Sequence, residues 1–257
     1  MNGLEYLLTA FVLIVSRVGG FVSTFPMFRS GTIPQLIKVA FTVALSAMWL
    51  SGFVLDGAAS MPPLTEHQWL AMSIAVVREV IIGSMLGFLL GLLFLPAQLA
   101  GSYLGQEMGY NMAGITDPTT ESTSNVFGDL LSALAMLLFL SVDAHQLAIG
   151  ALYSSFANLP LGRPLPEFDA AMVSGSFSNA HRWGMELAAP MGVGLFLVTG
   201  ITAMLMKISP QLNLLSVGIP LRLALGLGIG LLFFPQLAEI LVGIFLRQRE
   251  LIMRLGF

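Results

Sequence analysis

Apolar residues in this chain gather into long runs instead of alternating with polar ones. Barrel strands would alternate over about ten residues, so the pattern predicts membrane-length helices. The first run covers residues 6–28, interrupted by Arg17 and Gly19-Gly20. The second covers 39–55, with Pro34 well placed at its start. After a loop over 56–68 carrying Pro62-Pro63, a third run extends from 69 to 106 through Arg78-Glu79. It has no charge between Glu79 and Glu107, which exceeds the roughly 20 residues needed to cross a bilayer. Pro96 is the residue able to kink or divide it. A fourth run, 130–156, holds Asp143 and His145. Residues 158–184 are the most polar, with Pro160, Pro164 and Pro166, and predict a short amphipathic helix ending near His181-Arg182-Trp183. A clean hairpin closes the pattern. It has a fifth run over 185–206, a connection over 207–222 and a sixth run over 223–246, followed by a basic tail with Arg247, Arg249 and Arg254. The fold class expected is an all-α membrane protein of about six long hydrophobic helices, some kinked or broken.

Composition strengthens that reading. The chain has 257 residues, 56% hydrophobic and 10% charged, against roughly 25% charged in a soluble domain. Most of its surface must therefore face lipid or protein. A net charge of −3 without any basic run gives no sign of a nucleic-acid partner. The absence of Cys excludes disulfides, thiolate metal sites and Cys nucleophiles. Glu5 stands where a signal peptide would be basic, and the apolar run passes Arg17 without a small-residue cleavage site. The start is read as a mature helix, inserted co-translationally in an inner-type membrane.

Catalytic chemistry finds no foothold. His67, His145 and His181 fall in different segments without i,i+4 spacing. No HExxH, carboxylate cluster with metal spacing or Gly-x-Ser-x-Gly elbow occurs. Gly226-Leu-Gly228-Ile-Gly230 lies inside an apolar helix and is no dinucleotide fingerprint. No catalytic residue, metal or cofactor is expected, nor any nucleotide site.

Three features carry positive information. Gly83, Gly87 and Gly91 recur every four residues, as do Gly101, Gly105 and Gly109. Such stripes let helices approach closely, either within the subunit or against a partner. Arg17, Arg78, Glu79 and Asp143 lie inside apolar runs and would each cost about 2.5–3.5 kcal/mol facing lipid at a helix centre. Structural pairing inside an assembly is favoured over a proton or ion relay. Arg78 and Glu79 point about 100° apart on a helix and are expected to have different partners. Residues 107–129, rich in Gly, Thr, Ser and Asn with an Asp117-Pro118 turn, are too long for a tight connection. Met108, Tyr110, Asn111, Met112, Ile115 and Phe127 in this stretch suit either a deformable plug or an ordinary exposed loop. Orientation signals conflict: the positive-inside rule puts both Lys207/Arg222 and the basic tail in the cytoplasm, which a single hairpin does not easily allow.

The order of these features resembles the FliR family of flagellar export-gate proteins and its injectisome counterpart, over essentially the whole chain. The N-terminal part matches in Arg17, Phe21, Pro26, Ile33-Pro34 and Lys38. The middle matches in Arg78-Glu79, Gly83, Gly87, Gly101, Gly105, Gly109 and Asp117-Pro118. The strongest match is Ser209-Pro210-Gln211-Leu212-Asn213, followed by Gly218, Pro220 and Leu221. The resemblance implies assembly with several copies of FliP and FliQ into a helical gate for unfolded export substrates. It implies a FliP-like part over 1–184, with a luminal plug over 107–129, and a FliQ-like hairpin over 185–257. It also implies that Arg17, Arg78, Glu79 and the glycines at 83, 87, 91, 101 and 105 serve helix packing and assembly. Lys207, Pro210, Gln211, Asn213, Pro220 and Arg222 would meet FlhB at the cytoplasmic entrance, with FlhA nearby. FliE and rod components would stand at the exit. The implied location is the bacterial inner membrane at the flagellar basal body, with much of the assembled subunit on the periplasmic side. Alternatives are an injectisome subunit or a secondary transporter; a transporter should show two related halves with broken helices, and the halves here are unlike.

Overall fold

A computed structural model describes residues 3–29, 33–55, 68–109, 126–162, 170–208 and 218–254. Every regular element among them is a helix. These are α1 (Gly3–Thr24), α2 (Pro26–Arg29), α3 (Gln35–Leu55), α4 (Gln68–Gly91), α5 (Leu95–Met108), α6 (Val126–Ser141), α7 (Ala144–Asn158), α8 (Ala170–Ile208) and α9 (Ile219–Arg254). The all-α expectation holds. Five described helices are long and apolar enough to cross a bilayer, or six if α6 and α7 count as one broken span.

The helix boundaries bear out one expected division, that of the run holding Pro96, and correct the sequence reading in four places. The run over 69–106 is two helices, parted by a turn at residues 92–94. Pro96 stands in the first turn of α5, where its missing N–H costs nothing, but it cannot continue α4. The first run likewise parts at Phe25, ahead of Pro26. The run over 130–156 breaks at Val142-Asp143, where Asp143 takes the left-handed conformation at φ 55°, which Asp tolerates better than most residues. The third correction has the opposite sense. The helix expected to end near Trp183 continues as α8 to Ile208. Ala180, Trp183, Leu187, Met191 and Leu195 form one buried stripe across the supposed boundary; the polar residues there lie on the other face. The sixth run also extends beyond its expected ends, to Ile219 and Arg254.

The chain forms two compact units. The first comprises Met1–Leu92, Ala144–Ser174 and Gln248–Phe257. Here α1 buries Ala10, Leu13, Ile14, Val18 and Phe21, the i, i+3, i+4 spacing of one helix face, against α3 and α4. An aromatic series Phe21–Phe25–Phe28–Phe41 extends this core, and Trp49 of α3 meets Tyr153 and Phe156 of α7 edge-on. The second unit comprises Leu93–Asp143 and Gly175–Arg247. Phe94, Phe139 and Phe245 pack together at its centre, with ring centroids 5.0–6.1 Å apart.

Candidate functional site

The most concentrated polar feature of the first unit is a buried ion-pair centre. Arg17 of α1 and Glu79 of α4 are both fully buried and are joined by Arg17 Nε–H donating to Glu79 Oε2 at 2.6 Å. The Arg17 guanidinium continues to α7. Its Nη1 donates to the Ser155 carbonyl at 2.8 Å and reaches the Ser155 hydroxyl at 3.3 Å. Its Nη2 donates to the Leu159 carbonyl at 2.8 Å. α7 ends at Asn158, so these carbonyls lie at a helix C-terminus, where a cation is favoured; the Ser155 carbonyl also accepts from the Leu159 N–H at 2.9 Å. The guanidinium carbon also lies 4.4 Å from the Phe156 ring centroid, within cation–π range. One side chain thus ties three helices together, with every nitrogen occupied.

Arg78 departs from expectation. It shares Glu79 with Arg17, donating from Nη2 to Glu79 Oε1 at 3.2 Å. Adjacent residues on a helix were expected to find different partners; a long flexible side chain folds back over the gap instead.

The first glycine stripe resolves to contact inside the chain. A Cβ at Gly83 would land on the Arg17 carbonyl, one at Gly87 on Thr24 and the Phe21 carbonyl, and one at Gly91 against the Pro26 ring. Gly20 faces the Val80 carbonyl reciprocally. Thr24 Oγ1 donates to the Ser84 carbonyl at 3.0 Å. Arg17, Glu79, Gly83, Gly87 and Gly91 are therefore brought together along one α1–α4 seam, and Arg78 joins them at Glu79.

In the second unit, Gly101 meets Gly128 backbone to backbone, with a Cβ on Gly101 falling 2.5 Å from the Gly128 Cα. Gly105 is buried, and Gly109 ends α5 at φ 87°, a conformation that favours glycine. Met108 is fully buried and occupies the space a side chain at Gly226 would need, while Phe127 does the same at Gly230. Both are core residues at the two ends of the suspected plug. Tyr110, Asn111, Met112 and Ile115 lie outside the described residues, as do Pro210, Gln211 and Asn213. Lys207 and Pro220 are exposed. Arg222 Nη1 stands 3.5 Å from the Glu107 carbonyl in the last turn of α5, a long contact that is mainly electrostatic.

Sequence reasoning missed Ser155, the Leu159 carbonyl and Phe156 around Arg17, and Gly20, Gly128 and Gly226 as contact glycines. Gly20 had a signal in the Gly19-Gly20 pair, and Gly226 in the glycine run of α9. The carbonyls had none, because any residue type supplies one. Among the described residues, no group of three or more His, Cys, Asp or Glu is placed to hold a metal ion.

The family described as bacterial export proteins, family 1, matches residues 8–247. The chain belongs to this family. The match takes in the Arg17–Glu79 centre, the α1–α4 seam and the Gly101–Gly128 contact of this family 1 export protein. Among curated relatives, the chain is 29% identical to flagellar biosynthetic protein FliR of Bacillus subtilis over 228 residues, covering 87% of this chain and 85% of that protein. It is 29% identical to flagellar biosynthetic protein FliR of Caulobacter vibrioides over 241 residues, covering 93% of each. Yop proteins translocation protein T of Yersinia pestis is 25% identical over 171 residues, covering 65% of this chain and 66% of that protein. The resemblance to the FliR family and its injectisome counterpart is borne out.

Proposed function

We propose that this export protein is a subunit of the flagellar type III export gate, forming with FliP and FliQ homologues the channel for unfolded flagellar subunits. The near-complete match to relatives named as flagellar FliR carries the reading. The helices add support. Leu36, Ile37, Val39, Val43 and Met48 of α3 are exposed, as are Phe196, Leu197, Ile201 and Met204 of α8. Faces this large and apolar need lipid or protein against them. The injectisome role is the second reading; the match to Yop proteins translocation protein T favours it, at lower identity and over less of the chain. The role is one of assembly and passage, without catalysis or cofactor.

Within that reading, 1–184 is built like FliP and 185–257 like FliQ. This division is one of likeness to partner chains, and each compact unit draws residues from both parts. The connection over 207–222 faces FlhB at the entrance, with FlhA near, and FliE and rod components meet the exit. The subunit is inserted through the inner membrane, and much of it stands on the periplasmic side in the assembly.

Co-expression with FliP and FliQ homologues of the same bacterium, followed by native mass measurement, tests the proposal. A hetero-oligomer holding all three chains is expected; a monomer indifferent to both partners would sink it.

The segment over 107–129 is proposed as the luminal plug. The support is its setting: it leaves α5 beside the buried Met108 and returns into α6 beside the buried Phe127, and Gly101 and Gly128 hold those helices at backbone contact. A loop carried on fixed ends suits a functional element. Because Met108 is core, a clean deletion begins after Gly109. Removing residues 110–121 is expected to leave assembly intact and to raise ion leakage through the gate, read as loss of membrane potential in cells. An unchanged leak with normal assembly would refute the plug role.

A further inference from the structure

Arg17 and Arg78 sit beside the same carboxylate but in different states. Arg17 has all its nitrogens occupied. Arg78 makes one hydrogen bond among the described residues, from Nη2 to Glu79, and its Nε is buried without a partner. A guanidinium carries five N–H donors and no acceptor. Two cations thus share one anion, and the cluster keeps a net positive charge.

The surroundings make that charge conspicuous. The Arg78 side chain is 12% exposed. Ile74 and Ile81, one turn to either side of it, are 61% and 43% exposed, and Val77 is 58% exposed. These residues form an outward apolar face of α4 with the cation set into its edge. A partly desolvated cation with unfilled donors needs an anion. Depth decides which anion. The span runs from Trp69 to Gly91, and at 1.5 Å per residue Arg78 stands roughly 13 Å from one end and 20 Å from the other. Arginines near helix ends snorkel to the interface; this one is far from both, so a lipid phosphate is out of register. A carboxylate on another helix, at the same depth, fits.

We propose that Arg78 receives an Asp or Glu side chain from an otherwise apolar helix of a neighbouring subunit, which docks against Ile74, Val77 and Ile81. This rests on the export-gate reading and names the chemistry of one of its contacts. The incoming carboxylate balances two guanidiniums with two carboxylates, and the planar fork of Arg78 fixes its register.

The test uses the full chain co-expressed with its FliP and FliQ homologues, and separately the purified chain alone in detergent. Arg78→Met leaves Arg17 and Glu79 as a one-to-one pair, so the isolated chain should unfold at the same temperature or higher. Assembled complex per chain should fall at least about thirtyfold, as for truncating one partner of a buried charge pair. Arg78→Lys should retain part of the assembly, and Arg78→Glu none. A photocrosslinker at Ile74 or Ile81 should label a partner peptide bearing an Asp or Glu within an apolar stretch. Reversing that carboxylate to Lys should restore assembly to Arg78→Glu. Normal assembly of Arg78→Met, a matching loss of stability in the isolated chain, or crosslinks to lipid alone would each overturn the contact and leave the export-gate reading intact. If the wild-type chain ignores both partners, the export-gate reading fails, and this contact with it.

Discussion

Replacing Glu79 with Leu is expected to cost the isolated chain about 3–5 kcal/mol, the scale on which a buried ion pair is broken by loss of one partner. That is a large share of the roughly 5–15 kcal/mol by which a domain is stable. The variant leaves Arg17 buried with its Nε unanswered, and leaves Arg78 beside it without a counter-charge. Arg17→Met should cost less, because Glu79 keeps Arg78 at 3.2 Å and the Ser155 carbonyl keeps the Leu159 N–H, although both it and the Leu159 carbonyl lose the Arg17 donor. The double variant Arg17→Met/Glu79→Leu should recover much of the loss seen in Glu79→Leu, since no charge is then left fully buried and unpaired. Denaturant unfolding of the purified chain in detergent gives the order. A double variant no better than Glu79→Leu would place the stabilising weight on the bonds to α7 instead of the ion pair.

The same centre marks how far the sequence could be read. Arg17 and Glu79 each stood out as charges in apolar runs, and pairing inside an assembly was the favoured account. Their partnership spans 62 residues and lies within the chain. Nothing in residue type could reveal that Arg17 also serves carbonyls 138 and 142 residues away, because backbone acceptors leave no trace in composition. Helix type and approximate span were legible because long apolar runs admit little else. Boundaries were less so. Pro96 signalled its break, but Asp143 stops a helix by its backbone conformation, which a sequence shows only as one polar residue among many. The opposite error at Trp183 came from weighing polarity per segment. On α8 the polar residues share one face and the buried stripe beneath them never stops.

Those boundaries matter to the proposed gate because they decide which surfaces remain for partners. The glycines at 83, 87 and 91 are consumed by α1. The unfilled donors of Arg78 and the exposed faces of α3 and α8 are not consumed by anything described in this chain. Subunit contacts are therefore to be sought on apolar faces with a misplaced charge or an outward glycine, and not on the small-residue seam that first drew notice.

Alanine substitution separates the two kinds of glycine, and its largest effect is expected at Gly83. A methyl group there would collide with the Arg17 carbonyl, which is backbone and cannot swing aside. Overpacking costs about 1–3 kcal/mol and occasionally more. Here relief requires α1 and α4 to part, which also strains the Arg17–Glu79 bond, so a loss of at least about 3 kcal/mol is expected. Gly101→Ala meets the Gly128 backbone and should be nearly as damaging to the second unit. Gly226→Ala should be milder, because what it meets is side chain, Met108 first at its Cγ and then Leu195, and a methionine can repack where a backbone carbonyl cannot. Gly150, Gly200 and Gly228 have nothing within reach of an added Cβ. Alanine at those positions should stabilise the isolated chain by about 0.4–1 kcal/mol through helix propensity and a less disordered unfolded state. The second readout is yield of the hetero-oligomer with FliP and FliQ homologues. If Gly150→Ala, Gly200→Ala or Gly228→Ala stabilises the chain yet lowers that yield, the glycine is a point of close approach between subunits. If chain stability and yield rise together, that helix face meets only lipid or water. A Gly83→Ala chain that unfolds like wild type would show that α1 and α4 do not meet at Gly83, and would remove the seam on which the buried ion pair depends.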